Sequence, residues 1–149
     1  GQMQQGMSDI IWAIKPDNDR MENMLVRMRE YAAYALESKD IDVSFSVDDD
    51  VLEKNLDMQQ RRDVFLIFKE AVNNAAKYSG ARSVKIKLQK ALNNIVMEIA
   101  DNGKGFNRAE TSSNGLKNMQ TRATGMNGEL EIISSENKGT AIVMKIPAT

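Results

Sequence analysis

The stretch NIVMEIADNGKGF, residues 94–106, decides the fold that we predict for this chain. Apolar residues alternate with others along residues 94–100, which is the pattern of a strand with one buried face. Asp101 follows that strand directly, with Gly103 and Gly105 close behind, so a carboxylate lies where backbone can closely approach a bound molecule. Because an ionised carboxylate only accepts hydrogen bonds, Asp101 suits an amino group such as the exocyclic amine of adenine.

An ordinary glycine-rich turn with a capping aspartate is the alternative explanation of residues 101–106. The segment is not a Rossmann dinucleotide motif, because Arg108 stands where that motif needs its third glycine. The chain also has no G-x-x-x-x-G-K-[ST] sequence, so a P-loop is excluded.

A long amphipathic helix is predicted upstream, over residues 58–79. Glu70 and Asn74 are four residues apart and therefore share one face of this helix, away from its apolar positions. Glu70 is an acceptor that can orient a nucleophile, and Asn74 offers a carbonyl oxygen of the kind that suits magnesium. Lys77 and Tyr78 add a cation and a hydroxyl near the same helix end. A plain solvated helix face is the alternative for all four.

Two downstream segments complete the set of candidate site residues. A helix is predicted from about residue 116 to residue 124, and the backbone N–H groups at such a start bind phosphate readily. Gly115 would let a phosphate approach closely, and Thr140, at the start of the last predicted strand, would support Asp101 through its hydroxyl or a water. An ordinary helix start and an ordinary hairpin end are the alternatives.

The rest of the sequence predicts one α/β domain. Strands are expected over residues 41–47, 83–89, 94–100, 129–134 and 140–146, and helices over 7–15, 19–38, 58–79 and 116–124. We therefore expect a two-layer α/β sandwich, in which a mixed, mostly antiparallel sheet of about five strands carries helices on one face.

Composition excludes several classes of function. The 149 residues carry a net charge of −1, so no broad positive field attracts nucleic acid or an anionic membrane. The chain has no cysteine and no histidine, which excludes disulfides, Cys- or His-ligated zinc and a Ser-His-Asp triad. No apolar run approaches the ~20 residues that cross a bilayer. We expect a cytoplasmic domain that contacts neither nucleic acid nor membrane.

The order of these segments resembles the Bergerat-type ATP-binding fold of the GHKL superfamily, which includes histidine kinases, gyrase, Hsp90 and MutL. VFLIFKEAVNNAAKYS, residues 64–79, is similar to the family's N box. DNGKGF at 101–106 is similar to its first glycine box, and NGLKNM at 114–119 to its second. KGTAIVMKIP at 138–147 is similar to the closing strand. The resemblance covers roughly residues 19–147.

Within the superfamily, three features resemble histidine kinases that pair with LuxR-type response regulators. These are the short loop between the two glycine boxes, the run GLKNMQTRA at 115–123, and IIWAIKPDND at 10–19. The chain departs from the family pattern at Ser113, where the second box normally has glycine, and at Tyr78, where many members have histidine.

The resemblance implies the ATP-binding catalytic domain of a two-component sensor histidine kinase. Such a domain binds ATP and Mg²⁺ and transfers the γ-phosphoryl group to a histidine on a separate dimerisation domain of the same kinase. Residues 1–18 would be the tail of a dimerisation helix and a linker, and residues 19–149 the catalytic domain. The fragment alone is not expected to autophosphorylate, and a LuxR-type response regulator would act downstream. A membrane anchor elsewhere in the full-length kinase is compatible with this domain.

The resemblance also gives each candidate residue a role. Glu70 and Lys77 are the catalytic candidates: Glu70 would polarise the incoming imidazole, and Lys77 would lie near the triphosphate. Asn74 would bind magnesium and Asp101 would select adenine. The remaining cofactor-binding positions would surround the nucleotide, and they are Tyr78, Gly103, Gly105, Phe106, Gly115, Leu116 and Thr140.

Two other classes of function share these motifs. A serine kinase of the anti-sigma-factor type has the same fold, but the segment at residues 10–19 argues against it. A non-catalytic, nucleotide-dependent protein-binding module is the second, and the presence of Glu70, Asn74 and Asp101 argues against that. A gyrase- or Hsp90-like ATPase is disfavoured because this short chain lacks the longer lid of those proteins.

Overall fold

The computed structural model of the protein describes residues 20–105 and 114–149. The helices are α1 (Met21–Glu37), α2 (Met58–Tyr78) and α3 (Asn114–Gly125), with one 3-10 turn at Asp49–Glu53. The strands are β1 (Asp42–Val47), β2 (Ser83–Ala91), β3 (Asn94–Asp101), β4 (Glu129–Ser134) and β5 (Thr140–Pro147). The helix predicted over 7–15 and the proposed boundary at residue 18 lie outside the described residues.

The five strands form one sheet in the order β1-β2-β3-β5-β4. β1 runs parallel to β2, and every other neighbouring pair is antiparallel. In the register of β3 with β5, Asp101 at the end of one strand lies opposite Thr140 at the start of the other. The predicted mixed, mostly antiparallel sheet is confirmed, and its register brings two candidate site residues together.

The helix α2 begins at a capping box. The Asp57 side chain accepts a hydrogen bond from the Gln60 backbone N–H at 2.8 Å, and the Gln60 side chain accepts one from the Asp57 N–H at 3.0 Å. These two bonds satisfy backbone donors that the first helical turn leaves without partners. The helix ends at Ser79, and Gly80 follows with φ of 63°, a left-handed conformation that favours glycine.

The core lies between the helices and one face of the sheet. Alternate residues of the three central strands point into it, namely Val84, Ile86, Leu88, Ile95, Met97, Ile99, Ile142, Met144 and Ile146. From the helical side, the rings of Phe65 and Phe68 pack against Tyr31 of α1 with centroids 6.2 and 6.5 Å away. Truncating a buried ring such as Phe68 to alanine costs roughly 3–5 kcal/mol. The predicted two-layer arrangement is therefore confirmed.

Two connections have well-defined structure. The acidic segment that begins at Asp48 contains a 3-10 turn, which Val51 anchors because its side chain is fully buried. The β2–β3 connection is a tight turn at Leu92 and Asn93, with Leu92 at φ 57° and largely exposed. Among the described residues, no helix has both the length and the apolar character that crossing a bilayer requires.

Candidate functional site

A cavity of about 440 Å³ lies between α2 and the sheet, with the first turn of α3 at its edge. Residues from β3, β5 and the loop after β3 form the rest of its lining. Seven residues that were singled out in the sequence line this one cavity, and they are Glu70, Asn74, Asp101, Gly105, Gly115, Leu116 and Thr140. The fold thus brings together segments that are up to 70 residues apart in sequence (residues 70 to 140).

The cavity is elongated along α2. Glu70 and Ser79, both in its lining, are nine residues apart on that helix and at its cap, a separation of roughly 13 Å along the axis at about 1.5 Å per residue. The loop with Asp101 packs near the Ser79 end, whereas α3 begins near Glu70. The two groups of candidate residues therefore occupy opposite ends of the cavity.

At one end, the Asp101 carboxylate is held in place by backbone donors. The Gly103 N–H donates to Asp101 Oδ1 at 2.9 Å, and the Thr140 backbone N–H donates to the same carboxylate. Burial raises the pKa of Asp101 above its ordinary value, and these two hydrogen bonds, which favour the charged form, offset part of that rise. A fixed, partly desolvated acceptor at the end of an apolar cavity can bind an amino group.

Thr140 contacts the Asp101 carboxylate through its backbone N–H. Support through the Thr140 hydroxyl or a water, which the sequence suggested, stays a prediction. The Thr140 hydroxyl lies 2.8 Å from the hydroxyl of Ser134 on the neighbouring strand β4. This pairing follows from the β4–β5 register, in which the two residues are directly opposite.

The loop after Asp101 is fixed to the end of α2. The Lys104 N–H donates to the Ser79 carbonyl at 2.8 Å. Gly103 lies so close to this carbonyl that a β carbon at residue 103 would come within 2.2 Å of the Ser79 oxygen. Asn102 holds the other side, since its Oδ1 accepts from the N–H groups of Arg82 and Ser83 at 2.9 and 3.0 Å. Gly103 thus shapes the cavity by close backbone packing.

At the other end of the cavity, α2 and α3 meet at a glycine. A β carbon built on Gly115 would come within 2.0 Å of Glu70 Oε1, so the carboxylate of Glu70 packs directly against the glycine backbone. Helix N-termini favour negative charge because their N–H groups and the helix dipole point toward it. The first turn of α3 and the Glu70 carboxylate therefore line the same end of the cavity.

Asn74 lies one helical turn after Glu70 and lines the same cavity. Together they offer a carboxylate and an amide oxygen, the hard oxygen ligands that magnesium prefers. Within residues 20–105 and 114–149 no cluster of three or more Asp, Glu, His or Cys side chains is arranged to hold a metal ion. The donor set fits a cation that takes one or two protein ligands and is otherwise held by phosphates and water, as is usual for Mg²⁺.

The apolar floor of the cavity was not identified from the sequence. Ala71 and Ala75 are buried on α2, and Ile99 and Ile142 are buried on adjacent strands. The four-residue spacing of two small side chains on α2 is a signal that could have revealed this floor, because small residues leave room above a helix. Lys104 also lines the cavity, although the sequence analysis assigned it no role within the DNGKGF segment.

Two predicted site residues that the structure describes are not part of the lining. One is Gly103, which packs against Ser79, and the other is Lys77, which is exposed although helical periodicity puts it on the same face as Glu70. The side chain of Tyr78 and the whole of Phe106 lie outside the described residues, as does Ser113.

Known proteins are similar to this chain in sequence or in fold. Sensor histidine kinase LiaS from Bacillus subtilis is 28% identical over 149 residues, which cover 99% of this chain and 40% of the relative. Oxygen sensor histidine kinase NreB from Staphylococcus carnosus is 37% identical over 89 residues, 58% of this chain and 26% of the relative. The chain therefore spans less than half the length of these relatives.

A solved structure with the same fold is the histidine kinase domain of the Erythrobacter litoralis EL346 blue-light activated histidine kinase. It superposes with a TM-score of 0.70 and 15% identity, over 83% of this chain and 60% of that chain. At this identity the likeness shows the shared fold.

Residues 59–149, which contain α2, the glycine segments and the closing strand, match the family described as histidine kinase-, DNA gyrase B- and HSP90-like ATPases. This match covers more than half of the chain and includes every residue that lines the cavity. The predicted resemblance to the GHKL superfamily is thereby confirmed, and the chain belongs to the histidine kinase-, DNA gyrase B- and HSP90-like ATPase family.

Proposed function

We propose that this chain is the ATP-binding catalytic domain of a two-component sensor histidine kinase. It would bind Mg-ATP and transfer the γ-phosphoryl group to a histidine on a separate dimerisation domain. The observation that carries the proposal is the placement of Asp101 at one end of a single cavity and of Glu70 at the other, with Asn74 between them on α2. A nucleoside triphosphate has the matching polarity, with an amino-bearing base at one end and anionic phosphates at the other.

The Asp101 end would read the base. Its ionised carboxylate accepts the exocyclic amine of adenine and repels the carbonyl oxygen that guanine carries at that position. Because the Gly103 and Thr140 N–H groups hold the carboxylate in place, little ordering is needed when the base binds. Gly105 lines this part of the cavity, and the resemblance to the family also assigns Tyr78 and Phe106 to nucleotide binding.

Asn74 would hold the magnesium ion. Its amide oxygen is a suitable ligand, and the phosphates of the nucleotide would supply most of the others. The ion would neutralise charge on the phosphate oxygens during transfer. Gly115 and Leu116, at the first turn of α3, would lie along the triphosphate, and the exposed Lys77 would lie near it, as the resemblance implies.

Glu70 would act on the incoming nucleophile. Its carboxylate accepts a proton or a hydrogen bond, so it can orient the imidazole of an acceptor histidine toward the γ-phosphate. Phosphoryl transfer needs mainly positioning and charge stabilisation from the protein. A carboxylate that packs against Gly115 at the phosphate end of the cavity would provide the first of these.

The acceptor and the downstream partner would be separate from this domain. The 149 residues contain no histidine, so the phosphorylated imidazole would belong to a dimerisation domain of the same kinase. Residues 1–18 would connect to that domain and residues 19–149 would form the catalytic unit. We further propose that the kinase acts in the cytoplasm, where ATP is available, and that its regulator is of the LuxR type.

Calorimetric titration with ATP and GTP, each with and without magnesium, tests the proposal. We expect magnesium-dependent binding of ATP and much weaker binding of GTP, since a guanine carbonyl would face the Asp101 carboxylate. Equal affinity for the two nucleotides, or no binding of ATP, would contradict the proposal.

A further inference from the structure

The helices α2 and α3 contact each other at two levels. At one level the Glu70 carboxylate packs against Gly115, beside the cavity. At the other, Arg122 Nη1 donates to Asp63 Oδ1 at 3.1 Å. The two contacts are seven residues apart on each helix. Seven residues make nearly two helical turns, so both contacts lie on nearly the same face of each helix, roughly 10 Å apart along its axis. The helices therefore run antiparallel, with matched spacing between the two contacts.

The contact at the second level is a partly buried ion pair. Asp63 is 4% exposed, whereas the Arg122 side chain is 36% exposed and enters from the rim. A buried carboxylate without a partner is costly, so this pair holds the two helices together strongly and in one orientation. Arg62 also lies 3.4 Å from the same carboxylate oxygen, but it belongs to α2 itself and cannot connect the helices.

The other contacts that bury α3 are less directional. Leu116, Met119 and Ala123 are buried in the core, and apolar packing of this kind tolerates small shifts along the helix axis. A hydrogen-bonded ion pair fixes both the rotation and the height of the helix, because its atoms must stay within about 3 Å. Within residues 20–105 and 114–149, the Asp63–Arg122 pair is thus a directional link between α2 and α3, and Gly115 lies seven residues away from Arg122.

We propose that Asp63 and Arg122 are positioning residues for the phosphate end of the nucleotide cavity. The pair sets the height of α3 along α2 and so holds its first turn against Glu70. This inference rests on the proposed function, because it assumes that the triphosphate lies along the first turn of α3. Neither residue lines the cavity.

A positioning role differs from a merely structural one in its effect on nucleotide preference. Loss of overall stability weakens the binding of every adenine nucleotide alike. A shift of α3 weakens the contacts to the phosphates and leaves the Asp101 end unchanged. The ratio of ATP affinity to AMP affinity therefore separates the two roles.

The experiment compares Arg122→Gln with the wild-type chain in the presence of magnesium. Dissociation constants are measured for ATP by calorimetry and for AMP by competition with a fluorescent ATP analogue. We expect the ATP affinity of Arg122→Gln to fall roughly tenfold, equivalent to about 1.4 kcal/mol, with AMP affinity unchanged. Arg122→Lys should recover part of the loss, since it keeps the charge.

Arg62→Gln is the matched control. It removes the same charge from a neighbour of the same Asp63 oxygen, but it leaves the link between the helices intact. We expect its ATP-to-AMP ratio to equal that of the wild-type chain. An equal loss of the ratio in Arg62→Gln would show that charge near Asp63 matters and the cross-helix link does not, which would overturn the inference.

The remaining outcomes are also decisive. A folded Arg122→Gln with the wild-type ratio, or with equal losses for ATP and AMP, overturns the inference while ATP binding stands. If Arg122→Gln does not fold, Asp63→Asn takes its place, because it preserves shape and an acceptor oxygen, and it should lower the ratio less. An unchanged ratio in that variant overturns the inference. A wild-type chain that binds no ATP overturns the proposed function itself.

Discussion

The carboxylate of Glu70 occupies the space that a side chain at Gly115 would need. A β carbon at residue 115 would lie 2.0 Å from Glu70 Oε1 and 3.0 Å from Glu70 Cδ. Since the obstructing atoms are the end of a flexible side chain, alanine would be accommodated by moving the carboxylate and not the backbone. The glycine at the start of α3 and the carboxylate on α2 therefore depend on each other.

Gly115→Ala should separate stability from catalysis. Alanine favours a helix over glycine by roughly 0.5–1 kcal/mol, so the melting temperature should stay the same or rise. The displaced Glu70 carboxylate should slow phosphoryl transfer to a histidine-bearing dimerisation domain, on the order of 10²-fold for a shift near 1 Å. Thermal denaturation and a single-turnover transfer assay with a relative's dimerisation domain measure the two effects.

Gly125→Ala provides the control for that substitution. It makes the same change at the other end of α3, where a β carbon meets nothing within 4 Å. Transfer should proceed at the wild-type rate. Normal transfer by Gly115→Ala would show that the position of Glu70 is not critical.

Asp101→Asn should weaken ATP binding by ~1–3 kcal/mol, the usual cost of a mispaired buried polar group. The amide oxygen of asparagine can still accept from the Gly103 N–H, so the loop should keep its shape. Calorimetry on the folded variant measures the loss, with the exposed Asp42→Asn as a control that binds ATP normally. Unchanged affinity in Asp101→Asn would reject Asp101 as the group that reads adenine.

The raised pKa of Asp101 predicts how stability depends on pH. The unfolded chain releases this proton near the ordinary value of 3.8, whereas the folded chain releases it at a higher pH. The contribution of Asp101 to stability is therefore complete below the ordinary value and is lost as pH rises through the folded-state pKa. Relative to Asp101→Asn, the wild-type chain should lose stability over this interval.

Denaturant titrations of both proteins without nucleotide, from about pH 3.5 to about pH 7, measure the difference. The free energies of unfolding should diverge as pH rises, in favour of the variant. A difference that is constant across the range, or that shrinks as pH rises, would be incompatible with a carboxyl whose pKa is raised by burial.

Asn74→Leu should abolish the effect of magnesium on ATP binding. The substitution keeps the approximate size of the side chain and removes the oxygen that would bind the cation. Asn73→Leu is the control, because the Asn73 amide faces α1, where its oxygen accepts from the Tyr31 hydroxyl at 2.8 Å. Calorimetry with and without magnesium should show the magnesium effect in Asn73→Leu and not in Asn74→Leu. A normal magnesium effect in Asn74→Leu would exclude this residue as a ligand.

The parts of the site that could be predicted from sequence are those set by local periodicity. The shared face of Glu70 and Asn74 follows from their four-residue spacing. The position of Asp101 follows from strand alternation that stops at a glycine segment. Both depend on neighbours within a few residues, so no knowledge of the tertiary fold was needed.

The parts that could not be predicted depend on how distant elements pack. Periodicity put Lys77 on the same face as Glu70, but it does not say how far the cavity extends along α2, and Lys77 is exposed beyond the lining. The Asp63–Arg122 pair joins residues of two helices that are 59 positions apart in sequence, beyond the reach of local periodicity. The Thr140 backbone contact likewise depends on the register of β5 against β3.

The absence of histidine gives the sharpest chemical prediction. With labelled ATP and magnesium, the chain alone should gain no acid-labile, alkali-stable phosphate, because no imidazole is present in its 149 residues. When a histidine-bearing dimerisation domain from a relative is added, label should appear on that domain and not on this chain. Glu70→Gln should reduce this transfer while retaining ATP binding, because the variant keeps the shape of the side chain and loses the charge that orients the imidazole. Acid-stable label on the chain itself would contradict this prediction, because it would show transfer to a hydroxyl of this chain.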